Sequence, residues 1–101
     1  MVPIQIDLQG KTAVVTGGGG VLCSAFSKAV AECGAKVAVL DLRKEAAEEV
    51  ASEIVSAGGT AMGVSANVLE PESLAEAEAE VRSAYGPADI LINGAGGNNP
   101  K

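Results

Sequence analysis

The chain has 101 residues, 48% of them hydrophobic and 20% charged, which suits one small globular domain and lies outside the disordered range. Its formal net charge of −6, with seven scattered Lys and Arg, argues against a nucleic-acid surface, where neutralising phosphates demands clustered basic side chains. With no histidine, a zinc site is disfavoured, and with one Tyr and one Phe the core must come from Val, Ile, Leu and Ala.

The opening "MVPIQIDLQGK" lacks the basic start and long apolar run of a secretory signal, and no stretch approaches the ~20 apolar residues of a membrane span. A cytoplasmic protein without membrane contact is the expectation. "KTAVVT" (Lys11 to Thr16) is a β-branched run that stops at glycine and reads as a buried strand. From Val21 the apolar positions Val21, Leu22, Ala25, Phe26, Ala29, Val30 and Cys33 recur at helical spacing and predict one apolar face, with Gly34 ending the helix. Cys23 and Cys33 stand ten positions apart on that predicted helix, ~15 Å at 1.5 Å per residue, too far for a disulfide. They read as small core thiols of a reducing compartment.

"KVAVLD" (Lys36 to Asp41) is a second strand, and a helix follows from about Arg43 to Ala57, with Glu45 in its first turn and Val50, Ala51, Ile54 and Val55 as its expected buried stripe. Gly58 and Gly59 end it. "TAMGVSA" (Thr60 to Ala66) is a weaker third strand, softened by Gly63. Pro71 opens a third helix that carries Leu74, Ala77, Val81 and Tyr85 on one face, while Glu72, Glu76, Glu78 and Glu80 form a solvated face. After Gly86 and Pro87, "ADILIN" (Ala88 to Asn93) is a fourth strand running into "GAGGNNPK". Strands alternating with helices predict an α/β fold with a parallel sheet and helices on both faces.

Gly17, Gly18, Gly19 and Gly20 join the first strand to the first helix. That context suits a dinucleotide, because unpaired N–H groups and the positive end of a helix dipole attract a pyrophosphate and a Cβ would hold it away. Asp41, at the end of the second strand, can accept hydrogen bonds from both hydroxyls of an adenosine ribose, or can cap the helix that follows. A carboxylate there repels a 2′-phosphate and favours NAD over NADP, although Arg43 close by is a group that accepts one.

In order along the chain, "GKTAVVTGGGG", Asp41, "ANV" at 66–68 and "ILINGAG" at 90–96 resemble the short-chain dehydrogenase/reductase family over about Leu8 to Gly97. The resemblance implies a Rossmann-like, doubly wound sheet, here partial, with four strands in the order 3-2-1-4 and three helices. The cofactor crevice is then expected between the first and fourth strands. It further implies a cofactor-binding set of Gly17, Gly18, Gly19, Gly20, Val21, Leu22, Asp41, Leu42, Asn67, Val68, Asn93, Gly94, Ala95 and Gly96.

The family's first turn reads T-G-x-x-x-G-x-G, which puts Val21 and Cys23 where glycines are usual; read as G-x-G-x-x-[G/A], it places Gly18 and Gly20 correctly and leaves Cys23 as a small packing residue. Val21 is then expected to point into the core. Asn67 takes the place of an aspartate that meets the adenine amino group in relatives, though an Asn ending a strand in a turn is an equal reading. Asn93 matches the first asparagine of N-N-A-G, which ties neighbouring strands, and Gly94 replaces the second. "TGGGGVLCSAF" and "INGAGGNNPK" look most like a branch acting on sugar acids such as D-mannonate or D-fructuronate.

Catalysis in this family uses a Ser and a Tyr with a Lys four positions on. The tyrosine here is Tyr85, followed four positions later by Asp89, whose charge would oppose a phenolate. The chain is therefore expected to be the cofactor-binding N-terminal half of an oxidoreductase, with no catalytic residue of its own and a small-molecule substrate met only in the longer parent. "DILIN" is expected to be an exposed apolar edge through which copies could form a homo-oligomer. A non-catalytic NAD-binding module and a self-associating folding fragment are the alternatives.

Overall fold

The computed structural model of the chain describes residues 7–17, 21–67 and 69–94, with only the backbone for Val21 and Leu22. Strands β1 (Thr12–Thr16), β2 (Lys36–Asp41), β3 (Thr60–Ser65) and β4 (Ile90–Asn93) alternate with helices α1 (Val21–Glu32), α2 (Lys44–Ser56) and α3 (Pro71–Tyr85). Each boundary lies within two residues of the sequence expectation.

The strands pair in parallel in the order β3-β2-β1-β4. Their register runs from Thr12 opposite Lys36 to Thr16 opposite Leu40, from Lys36 opposite Thr60 to Asp41 opposite Ser65, and from Ala13 opposite Ile90 to Thr16 opposite Asn93. The carboxyl ends of all the strands therefore share one edge. Alternation along each strand sends Val15, Val37 and Val39 to one face, under Ala47, Val50 and Ile54 of α2 and the inner side of α1. Val14, Ala38, Leu40 and Val64 fill the opposite face, under Ala77 and Val81 of α3. With helices on both faces, β1 and the middle of β2 are buried throughout, as their unbroken apolar runs require.

Burial departs from expectation on two of the helices. On α1, Ala25, Phe26 and Ala29 are exposed, Phe26 to 50%, while the inner side is made by Cys23, Ser27, Val30 and Ala31. Ser27 is fully buried without cost in unpaired polar groups because its hydroxyl donates to the Cys23 carbonyl at 2.9 Å. On α2, Ala47 joins the buried stripe and Val55 is exposed. The cause lies at Gly63: a Cβ there would come within 2.8 Å of the Ala47 carbonyl carbon and the Glu48 nitrogen, so the α2 backbone rests directly on β3 and rolls Ala47 inward. Gly63 is thus a close-approach position, and the strand it was expected to soften is held by the helix against it. Cys33 lies just beyond α1, in the turn closed by Gly34, and both cysteines are free thiols.

The amino edge of the sheet is closed by side chains. Asp89 Oδ2 accepts the Thr12 N–H at 2.9 Å, and the Asp89 N–H donates to the Thr12 carbonyl at 2.8 Å. The Thr12 hydroxyl donates to the Tyr85 carbonyl at 3.1 Å, and Lys36 Nζ lies 5.6 Å from the centre of the Tyr85 ring. This reciprocal pairing explains why β4 begins at Ile90 and not at Ala88.

Candidate functional site

The carboxyl edge is built differently. Gly17 follows β1 with φ 69°, a conformation that costs a residue with a Cβ ~1–2 kcal/mol, and its N–H donates to the Leu40 carbonyl at 2.7 Å. The chain leaves β1 there and re-enters regular structure at Val21, where α1 begins. Because α1 returns the chain to the amino end of β2, its own N-terminus sits at the carboxyl edge. Its first N–H groups have no acceptors within the helix, so that end carries the partial positive charge to which anions bind.

β1 has β2 on one side and β4 on the other, and the chain reaches those two neighbours by crossovers on opposite faces. The connections leaving β1 and β3 thus diverge and open a crevice above the β1 carboxyl end, the switch point at which open α/β sheets bind ligands.

One wall of that crevice is the end of β4. The Thr16 hydroxyl donates to Asn93 Oδ1 at 2.8 Å, and the Gly94 N–H donates to the Thr16 carbonyl at 3.0 Å. Asn93 therefore ties β4 to β1, the strand-linking role that the resemblance implied. Thr16 is a partner that the sequence reading did not place in the site; the signal was a hydroxyl ending an otherwise apolar strand.

On the opposite side, Asp41 ends β2 half-buried, and its carbonyl accepts the Ala66 N–H at 2.9 Å. Its Oδ1 accepts the Arg43 N–H at 2.9 Å, which folds the β2–α2 turn; Arg43 is the N-cap of α2, and its own side chain makes no capping bond. Asp41 thus braces the turn ahead of the helix. Leu42 beside it is 67% exposed, its carbonyl facing the Ser65 hydroxyl at 3.4 Å. At the end of β3, Asn67 Oδ1 accepts the Leu69 N–H at 3.0 Å and the Asn67 N–H donates to Ser73 Oγ at 2.9 Å, so this residue shapes the turn into α3.

The structure brings Gly17, the α1 N-terminus, Asp41, Leu42, Asn67, Asn93 and Gly94 to one edge. Gly18, Gly19, Gly20, Val68, Ala95 and Gly96 lie outside the described residues, as do the side chains of Val21 and Leu22. Tyr85 sits at the other edge, about 13 Å away along the five residues of β1. Burial pushes its phenol above the ordinary value of 10.0, which is the direction expected from its sequence context but has desolvation and not Asp89 as its cause. Among the described residues no group of three or more His, Cys, Asp or Glu is arranged to hold a metal, and no helix is long and apolar enough to cross a membrane.

Comparison with known proteins bears on this arrangement. The short chain dehydrogenase family profile matches residues 11–101. The chain is 50% identical over 100 residues to an uncharacterised oxidoreductase of Bacillus subtilis, UxuB, covering 99% of this chain and 36% of that protein. A candidate D-mannonate oxidoreductase from Haemophilus influenza, solved with bound NAD, superposes with a TM-score of 0.89 at 48% identity, covering 94% of this chain and 34% of that one. A metagenomic short-chain oxidoreductase in complex with NADP superposes with a TM-score of 0.78 at 31% identity, over 83% of this chain and 38% of that one. The chain spans about a third of the length of these relatives.

Proposed function

Because the chain belongs to the short-chain dehydrogenase family, we propose that its sheet is the dinucleotide-binding part of an oxidoreductase that takes NAD in preference to NADP and acts on an alcohol or ketone of sugar-acid type. The observation that carries this reading is the placement of Asp41, one strand away from the Gly17 turn and on the same edge as the α1 N-terminus. The residues fit the cofactor: a left-handed glycine and a helix N-terminus suit a pyrophosphate, and a carboxylate one strand over suits a ribose diol.

Bound there, NAD would supply the hydride acceptor. Gly17 to Gly20 and the first turn of α1, with Val21 and Leu22, would hold its phosphates, and Asp41 would accept from its ribose hydroxyls. Its negative charge disfavours a 2′-phosphate at the same place. A carboxylate offers about four acceptor positions over two oxygens, so bracing the turn at Arg43 is compatible with that role. Leu42, exposed beside Asp41, would meet the base together with Asn67 and Val68, and Asn93, Gly94, Ala95 and Gly96 would leave room for the second ribose. The 101 residues hold no Tyr-x-x-x-Lys, so this chain binds and orients and leaves proton transfer to residues of a longer parent in a reducing cytoplasm.

Calorimetric titration tests this reading. NAD is expected to bind at least tenfold more tightly than NADP, and Asp41→Ala is expected to weaken NAD tenfold or more, equivalent to ~1.4 kcal/mol. Absence of heat at millimolar NAD would overturn it.

A second reading, self-association, is favoured by one observation: Leu91 is 64% exposed on β4, the end strand of the sheet. Unpaired strand edges invite pairing with another copy. Sedimentation as a clean monomer at high concentration would exclude it.

A further inference from the structure

Two elements brace Asp41, and a glycine sets how closely they pack. Its main chain belongs to the sheet: Asp41 lies opposite Ser65, and its carbonyl accepts the Ala66 N–H at 2.9 Å. Its carboxylate is braced from α2, through the Arg43 N–H on Oδ1 at 2.9 Å, and the Arg43 carbonyl in turn accepts the Ala47 N–H at 3.2 Å. At Ala47 the helix rests on β3. A Cβ on Gly63 would stand 2.8 Å from the Ala47 carbonyl carbon, 2.8 Å from the Glu48 nitrogen and 2.9 Å from the Ala47 oxygen, against ~3.5 Å or more for unbonded carbons in contact. All three are main-chain atoms of α2, so no side-chain rotation relieves the overlap and one element has to move.

We infer that Gly63 is a positioning residue for Asp41, and through it for the choice between NAD and NADP: by letting the first turn of α2 sit on β3, it keeps the Arg43 N–H on the carboxylate. This rests on the cofactor reading above and adds to it a residue that acts through the helix. β3 is not free to retreat from an added methyl, since Val64 and Met62 pack into the core on its other face and six paired positions tie it to β2. Further along, α2 is fixed by Val50 and Ile54. Its start is what can lift, with Arg43, Lys44 and Glu45 all exposed. Because the Asp41 main chain stays with β3 while Arg43 leaves with the helix, the displacement falls on the bond to Oδ1. A carboxylate that loses this donor loses its fixed orientation, which two adjacent ribose hydroxyls require. A ribose carrying a 2′-phosphate does not offer that diol, so NADP has less to lose.

Gly63→Ala is the test, with Asp89→Ala as a control destabilised at the amino edge, each protein being studied at a temperature where circular dichroism shows it folded. The first readout needs no cofactor: the NMR signal of the Arg43 amide, which reports the bond to Oδ1. It is expected to move in Gly63→Ala toward its position in Asp41→Ala and to stay in place in Asp89→Ala. The second is titration with both dinucleotides. NAD is expected to bind Gly63→Ala about fivefold more weakly and NADP less than about twofold, while Asp89→Ala keeps the wild-type ratio. An unmoved Arg43 amide, or an unchanged NAD-to-NADP ratio where wild type binds NAD, would overturn the inference and leave the cofactor reading intact. Wild type that binds no NAD would overturn that reading and the role in selectivity with it, whatever the Arg43 amide does. If Gly63→Ala does not fold, Arg43→Pro, which lacks the N–H, is set against Arg43→Ala, which keeps it. A NAD loss peculiar to the proline variant then sustains the link, and equal affinities overturn it.

Discussion

The two edges of the sheet use the same residue types to opposite ends. At the amino edge Asp89 reaches across the sheet to the N–H of Thr12, while Tyr85 and Lys36 crowd the same corner. At the carboxyl edge Asp41 accepts the N–H of Arg43, two residues ahead, on the same edge at which the chain leaves β1 through Gly17. One aspartate closes the sheet and the other shapes a turn beside a crevice. An acidic residue at a strand boundary therefore says little by itself; which end of a parallel strand it occupies decides whether it seals the fold or faces a ligand.

Asp89→Ala should break that comparison most visibly. It removes a charged acceptor from the N–H of Thr12, a residue 1% exposed, and a hydrogen bond of that kind is worth about 2 kcal/mol. In a domain of this size that corresponds to a fall of roughly 10 °C in Tm. NAD affinity of the folded protein should not change, in contrast to Asp41→Ala. Calorimetry of both variants checks the separation, and a cofactor defect in Asp89→Ala as large as its stability defect would erase it.

Thr16→Val should give a smaller, mixed effect. The hydroxyl that ties β1 to Asn93 is lost with little change in shape, at about 1 kcal/mol, since Asn93 is exposed and water can replace one partner. Unlike the amino-edge variant, it frees the end of β4, so NAD affinity should fall a few-fold together with Tm. Thermal unfolding and titration on one sample measure both, and unchanged affinity would show that the Asn93 tie is purely structural.

Much of this was legible in the sequence because it depends on local pattern. The four apolar runs, the glycines that end them and Pro71 at a helix start fixed the element order to within two residues. The resemblance supplied the strand order, which no local pattern encodes. What stayed hidden depends on partners distant in the chain. The inner side of α1 could not be picked from hydrophobicity, since Ser27 is buried and Phe26 half-exposed, and the serine is admitted by a bond to its own helix. Gly63 reads as a strand breaker until α2 is seen resting on it. At the site, Asp41 was readable as a carboxylate at a strand end, but whether it capped α2 turned on a single backbone N–H. That a Cβ at Gly94 would meet the Cys23 sulfur is visible only with the helix and the strand in place together.

Tyr85→Phe should produce the smallest effect, confined to alkaline solution. Burial raises the Tyr85 phenol above 10.0, so the folded state holds its proton more tightly than the unfolded chain does. The stability linked to that difference is fully present below the unfolded value and is lost as pH rises from about 10 through the higher folded value. Lys36, packed over the same ring, is present in both proteins. Wild type and Tyr85→Phe should therefore show parallel stability curves up to about pH 9, after which wild type declines more steeply. Denaturant midpoints measured from pH 7 to 11 give the two slopes. Equal slopes would mean that the phenol is solvated as well in the native chain as in the unfolded one, and that the amino edge is less tightly closed than its hydrogen bonds suggest.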